Sequence, residues 1–165
     1  MLDRRAFYID GTWVAPSETR DFDVLNPATE KPVAVISLAS EADVDRAVQA
    51  AQEAFEMWSE TAVSERADML RRALKIYLRR RDEIAEAMTL EMGAPRDFSR
   101  DSQAPCGDAL LAAAIEALEA HQFERPSLRG GSTLRDEAAG VAGLITPWNW
   151  PVNQVMAKVA SALAA

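Results

Sequence analysis

Asn149 sits between Trp148 and Trp150, and prolines at 147 and 151 bracket all three. Its side-chain NH2 is an uncharged donor, able to stabilise a developing oxyanion without changing protonation state. Pro147 and Pro151 restrict the backbone on either side and stiffen the loop. Flanking indoles exclude water, and a hydrogen bond in a drier site is stronger. A preorganised amide donor in a dry aromatic cleft points to chemistry at a carbonyl. Taken singly, these residues have plainer uses: prolines end strands, tryptophans fill cores and asparagines make turns. Their combination, and the elements around them, favour the chemical reading.

Those elements are a strand and a helix. "GVAGLI" (140–145) has the continuous apolar character of a strand buried on both faces, as in parallel sheets. Gln154 to Leu163 returns to a helical pattern. The loop is therefore expected at the C-terminal end of a buried strand and just before a helix, where open α/β sheets bind ligands. Gly140 and Gly143 serve strand packing and do not form a dinucleotide fingerprint.

Further upstream the chain begins as an antiparallel β unit. "AFYIDGTWV" is a hairpin signal, with Phe7–Ile9 and Thr12–Val14 flanking Asp10-Gly11. "FDVLNPAT" and "PVAVISLA" read as short strands around an Asn-Pro turn. From Ser40, which with Asp43 forms a capping-box pattern, the period becomes helical. Val44, Val48, Ala51, Phe55 and Trp58 make one apolar stripe. Ser64 is placed to cap a second helix with Ala67, Leu70, Ala73, Leu74, Tyr77 and Leu78 on one face. Ile84, Ala85, Met88 and Met92 continue it to Gly93 and Pro95, and the pattern leaves a kink near Arg81 open. A third helix is expected from Pro105 to about Phe123, followed by an exposed β ribbon around Gly130-Gly131.

Composition narrows the function classes. The 165 residues are 48% hydrophobic and 27% charged, an ordinary globular balance with room for one domain. A net charge of −8 argues against a nucleic-acid partner, because phosphate binding needs a basic face. Arg79-Arg80-Arg81 reads as a solvated helix face, since Asp82, Glu83 and Glu86 follow at once. The lone Cys106 fits a reducing compartment, and no signal peptide or membrane span is evident, so the expected location is cytoplasmic. There is no P-loop and no metal-ligand cluster, so no metal is expected.

"GVAGLITPWNWPVNQVMAKVASALAA" closely resembles the NAD(P)-dependent aldehyde dehydrogenases, whose corresponding segment is a glycine-rich strand followed by Pro-Trp-Asn-aromatic-Pro. The similarity runs nearly end to end. "YIDGTWV" resembles the family's opening hairpin, and "VLNPATEKPVAVI" its Asn-Pro-Ala-Thr strand pair. "DVDRAVQAAQEAFEMWSETAVSERADML" is similar to its first long helices, and "LEMGAP" to its Glu-Met-Gly helix end. Single pieces are weak, but five in the right order are highly specific. The resemblance implies an α/β fold class: the incomplete N-terminal part of a Rossmann-like cofactor-binding domain, with an antiparallel hairpin start and a β arm. It implies NAD or NADP as cofactor, a small-molecule aldehyde as substrate and a homo-oligomer when intact.

By that resemblance Asn149 is the oxyanion-hole amide, and Ile145, Thr146, Pro147 and Trp148 lie along the nicotinamide cofactor. Trp150 and Gln154 line the aldehyde tunnel. Lys158, one helical turn beyond Gln154, matches a family lysine near the proton-transfer path, and it reads equally well as a helix-surface lysine. Residues 124–139 correspond to the oligomerisation arm. "DEAAGV" departs from the pattern in lacking the proline often found before the Gly-Val strand.

The family's nucleophilic cysteine, its water-activating glutamate and most of its cofactor-binding residues belong to regions after this loop. Cys106 does not replace the nucleophile, because it lies before the loop near the start of an apolar helix, where an inert thiol is expected. His121 has no Cys or Ser partner near it in sequence. The chain stops at "SALAA", inside an apolar segment, and only one good candidate for a buried parallel strand is visible. The expected reading is the first part of an aldehyde-oxidising dehydrogenase, inactive alone. A non-catalytic interaction module derived from the family is the alternative. Within the enzyme reading a CoA-acylating variant stays open, although the loop looks more like the hydrolytic branch.

Overall fold

A computed structural model describes all of residues 1–165. Its N-terminal part is β structure. β2 (Phe7–Ile9) and β3 (Thr12–Val14) pair as the expected hairpin, with positive φ at both Asp10 and Gly11 in the turn. β4 (Asp21–Asn26) and β5 (Lys31–Ser37) pair antiparallel around the Asn-Pro turn, where the Asn26 side chain accepts from the Ala28 amide at 2.8 Å. One strand is unexpected: β1 (Leu2–Arg4) pairs parallel to β5 and completes a sheet of order β1-β5-β4. Its three residues are exposed, so no alternation in the sequence marks it. Arg5, just beyond β1, grips Asp21 through two N–H···O bonds of 2.7 and 2.8 Å and fastens that edge.

Ser40 ends the β part and starts the helical one. α1 (Glu41–Ser59) opens with the full capping box: Ser40 accepts from the Asp43 amide, and the Asp43 carboxylate accepts from the Ser40 amide at 3.0 Å. The other Asp43 oxygen accepts from the amide and hydroxyl of Ser17, both at 2.8 Å, so one buried carboxylate also ties down the preceding loop.

α2 (Val63–Met92) is a single unbroken helix of 30 residues with no kink at Arg81. It begins at Val63 with Ala62 as its cap residue, so Ser64 falls inside the first turn and caps nothing. Gly93 ends it with φ of 80°, and an added Cβ there would meet the Pro27 ring at 2.4 Å. α3 (Arg96–Phe98) leads through a wide π turn at Ser99–Gln103 into α4 (Ala104–Ala120). Pro105 occupies the first turn of α4 as expected, but the helix ends at Ala120. Phe123 instead opens the ribbon, its carbonyl accepting from Asp136 N–H at 2.8 Å. The ribbon consists of β6 (Glu124–Pro126) and β7 (Thr133–Arg135). α5 (Pro151–Ala164) closes the order.

The core lies between α2, α4 and α5, built from Ala67, Leu70, Tyr77, Leu111, Ile115, Leu118, Ala160 and Ala164. Gly107 permits the closest approach. A Cβ there would lie 2.3 Å from the Tyr77 hydroxyl and 2.7 Å from Val152. That space lets the Tyr77 hydroxyl donate to the Ala104 carbonyl at 2.6 Å.

Residues 140–145 differ from the expected buried strand. They form no strand, and all are exposed, Ile145 at 89%. A strand is held by its neighbours' N–H and C=O groups, and no other segment of these 165 residues lies beside this one to supply them. The α1 stripe is likewise incomplete. Val44 and Val48 are exposed, while Ala51, Phe55 and Trp58 line an open apolar cleft of about 520 Å³ with Val141, Leu144 and α5. The accessible surface of 11346 Å² is about 3,000 Å² more than a compact monomer of this size presents. No helix is long and apolar enough to cross a membrane.

Candidate functional site around Asn149

Pro147 and Pro151 confine the turn, and Trp150, with φ of −137° and ψ of 69°, caps α5. Pro151 occupies the first helical position, where its missing N–H costs no hydrogen bond. The entry to α5 is seated by Val152 against Gly107 of α4. A stiff turn thus leads into a helix that is anchored in the core.

The predicted site residues fall along this turn and the first turns of α5. Ile145, Thr146, Pro147, Trp148 and Asn149 are all exposed, forming a continuous ledge before the helix. Trp150, Gln154 and Lys158 are half-buried on α5. Lys158 donates from Nζ to Gln154 Oε1 at 3.2 Å, and Gln154 donates from Nε2 to Asn153 Oδ1 at 3.4 Å. Those are the side-chain hydrogen bonds of this region, and neither engages the Asn149 amide, whose donors stay free. The two indoles differ. Trp148 is 79% exposed and stands beside an apolar cleft of about 640 Å³ formed with Val24, Leu25, Pro27, Ile84 and Met88. Trp150 packs edge-to-face on Phe98, with ring centroids 5.5 Å apart and planes at 83°. The dry aromatic cleft expected around Asn149 is therefore not closed: Asn149 itself is exposed, Trp150 is packed on Phe98 and Trp148 stands open.

Residues set aside in the sequence keep modest roles. Cys106 is half-buried in the first turn of α4, its thiol donating to the Ser102 carbonyl at 3.3 Å. Arg80 pairs with Glu83 on the helix surface at 3.0 Å, as a solvated face would. His121 does have a partner that its sequence neighbours conceal: Nε2 lies 2.9 Å from Asp136 Oδ2, and Arg125 grips the same carboxylate. The Arg125 guanidinium and then His121 hold the Asp136 carboxyl below the usual range. Phe98 is the site neighbour that sequence reasoning missed, since it lies in a short turn without apolar periodicity.

The layout is that of one class of protein: the opening portion of an α/β domain, with an exposed proline-braced loop leading directly into α5. The chain belongs to the aldehyde dehydrogenase family, whose sequence model it matches over residues 13–165. It is 49% identical to a 3-succinoylsemialdehyde-pyridine dehydrogenase of a Pseudomonas species, aligned over all of this chain and 34% of that protein. Among solved structures, the aldehyde dehydrogenase of Bartonella henselae superposes with a TM-score of 0.97 at 42% identity, covering 100% of this chain and 35% of the other. Aldehyde dehydrogenase C of Pseudomonas syringae, solved with NAD+ and octanal, gives 0.94 at 43% identity, covering 98% and 33%. The chain thus corresponds to the N-terminal portion of an aldehyde dehydrogenase and spans about a third of the length of the relatives it matches.

Proposed function

We propose that this chain supplies the oxyanion-stabilising loop and one wall of the aldehyde pocket of an enzyme that oxidises an aldehyde to a carboxylic acid. The observation that carries the reading is the free, exposed Asn149 amide on a proline-braced turn seated directly on α5. As a thiolate from the rest of the enzyme adds to the aldehyde carbon, the carbonyl oxygen becomes an alkoxide. The Asn149 NH2 donates to that oxygen, and more strongly as its charge grows. Pro147 and Pro151 spare the loop from reorganising during the step. Lys158, held by Gln154, stands along the same helix face to relay a proton.

A nicotinamide cofactor, NAD or NADP, fits the ledge formed by Ile145, Thr146, Pro147 and Trp148, which presents apolar surface and a hydroxyl beside the oxyanion donor. When bound, the cofactor accepts the hydride. The ledge residues orient it and exclude water from one face. The complex of a 43% identical relative with NAD+ and octanal supports this reading. The 124–139 ribbon, with Leu128 fully exposed at its tip, serves as the oligomerisation arm of a homo-oligomer. The 165 residues alone are catalytically inactive, because they carry neither the nucleophilic cysteine nor the water-activating glutamate of the family.

The test is aldehyde-dependent reduction of NAD+ and of NADP+ by the complete enzyme and by its Asn149→Ala variant. Loss of one oxyanion donor should lower kcat by about 10²–10³. Equal turnover in both proteins removes Asn149 from the mechanism.

A further inference from the structure

Resting on the aldehyde-pocket reading above, we infer that Phe98 is a positioning residue for substrate selectivity, holding the Trp150 indole that forms a wall of the pocket. Trp150 directly follows Asn149, so its indole stands next to the reacting carbonyl in that reading. The indole is half-buried, and the aromatic ring braced against it is Phe98, edge-to-face at 5.5 Å. Edge-to-face pairs are orientation-specific, because the positive ring edge of one partner seeks the negative face of the other. Phe98 therefore constrains how the indole is turned as well as filling space beside it.

The brace itself is fixed from behind. Ser99, the next residue, is fully buried, and its hydroxyl accepts from Thr89 Oγ1 of α2 at 3.0 Å. Its amide donates to the Pro95 carbonyl at 2.8 Å, and its carbonyl accepts from the Ala104 amide across the π turn. Phe98 thus stands on backbone locked into the longest helix, although its own side chain is 40% exposed. A ring so exposed contributes little to the core, so its fixed seat against Trp150 is its main structural consequence.

Removing the brace lets the indole relax into the vacated space, away from the pocket. Bulky aldehydes then gain relative to short ones. The experiment measures kcat and KM of the complete enzyme for a short linear and a branched or aromatic aldehyde, with Phe98→Ala, Phe98→Leu and Phe98→Tyr. The kcat/KM ratio of bulky to short aldehyde should rise about two- to tenfold in the Ala and Leu variants, the range an aromatic pair supports. The change should lie in KM for the bulky aldehyde. Tyr, which keeps the ring edge, should restore the wild-type ratio. Leu retains the apolar volume and keeps the test decisive should Ala fail to fold. An active enzyme whose ratio is the same in all variants overturns the role of Phe98 alone. A complete wild-type enzyme that oxidises neither aldehyde overturns the aldehyde-pocket reading, and the role of Phe98 with it.

Discussion

The helical core and the 137–149 stretch are built on opposite principles. In the core, α2, α4 and α5 satisfy their backbone groups internally and need one another only for apolar contact, which Leu70, Leu111, Ile115 and Leu118 provide. Residues 137–149 make no backbone hydrogen bond at all. Their apolar side chains face open clefts, and Ile145 and Trp148 are more than three-quarters exposed. Yet the open stretch carries the candidate oxyanion donor, and the core adds only Gln154 and Lys158 on the half-buried face of α5. The core's task for function is to seat the start of α5, so that a loop with few contacts of its own still has a fixed end.

That contrast predicts a separation of effects. The largest is at Asn149: Asn149→Ala should remove about 3–4 kcal/mol of transition-state stabilisation in the complete enzyme and leave the thermal midpoint unchanged. A clear drop in midpoint would mean that the loop is structural and would break the comparison. Next is Gly107→Ala, whose Cβ would collide with Tyr77 and Val152. It should cost about 1–3 kcal/mol in chemical denaturation, and turnover should fall as well because the seat of α5 shifts. Lost stability with unchanged turnover would show that the core does not position the loop.

Tyr77→Phe is smaller, about 1 kcal/mol, for the lost hydrogen bond to Ala104. Burial pushes the Tyr77 phenol up to about 12, so the fold favours its neutral form. The contribution is complete below about pH 10, the ordinary tyrosine value, and is lost as pH rises through 12. Wild type should show this alkaline loss by far-UV circular dichroism, and the Phe variant should not. A separate effect, confined to acid pH, belongs to Asp43, whose carboxyl is held well below the ordinary range by the backbone amides of Ser40 and then Ser17. Its contribution is present above about pH 4 and fades as pH falls toward the lowered value. Asp43→Asn should flatten that acid limb of an unfolding-versus-pH series.

How much was legible depended on the range of each signal. The Asp10-Gly11 hairpin, the Ser40/Asp43 capping box and the Gly93 stop are local, and the structure has all three as read. The Asn149 loop was legible as a motif because five neighbouring residues carry it. Phe98 was not, since its partner is Trp150, far along the chain, and no periodicity links them. His121 looked solitary for the same reason, its partner Asp136 lying across the base of the ribbon. The 140–145 segment reads as a strand yet forms none, because an apolar run reports a preference for burial, while a strand exists only where another strand accepts its hydrogen bonds.

The sequence by itself determined the start of α1 at Ser40, the stop of α2 at Gly93, the stiffness of the Pro147–Pro151 loop and the presence of an amide donor within it. These depend on φ limits, capping side chains and residue chemistry that act within a few positions. Only the tertiary structure decided that β1 lies parallel to β5, that Gly107 admits Tyr77 and Val152, and that Trp150 is braced while Trp148 is open. Each of these is a contact between segments distant in the chain. Such contacts depend on how packed elements share space, which no local pattern of residue types encodes.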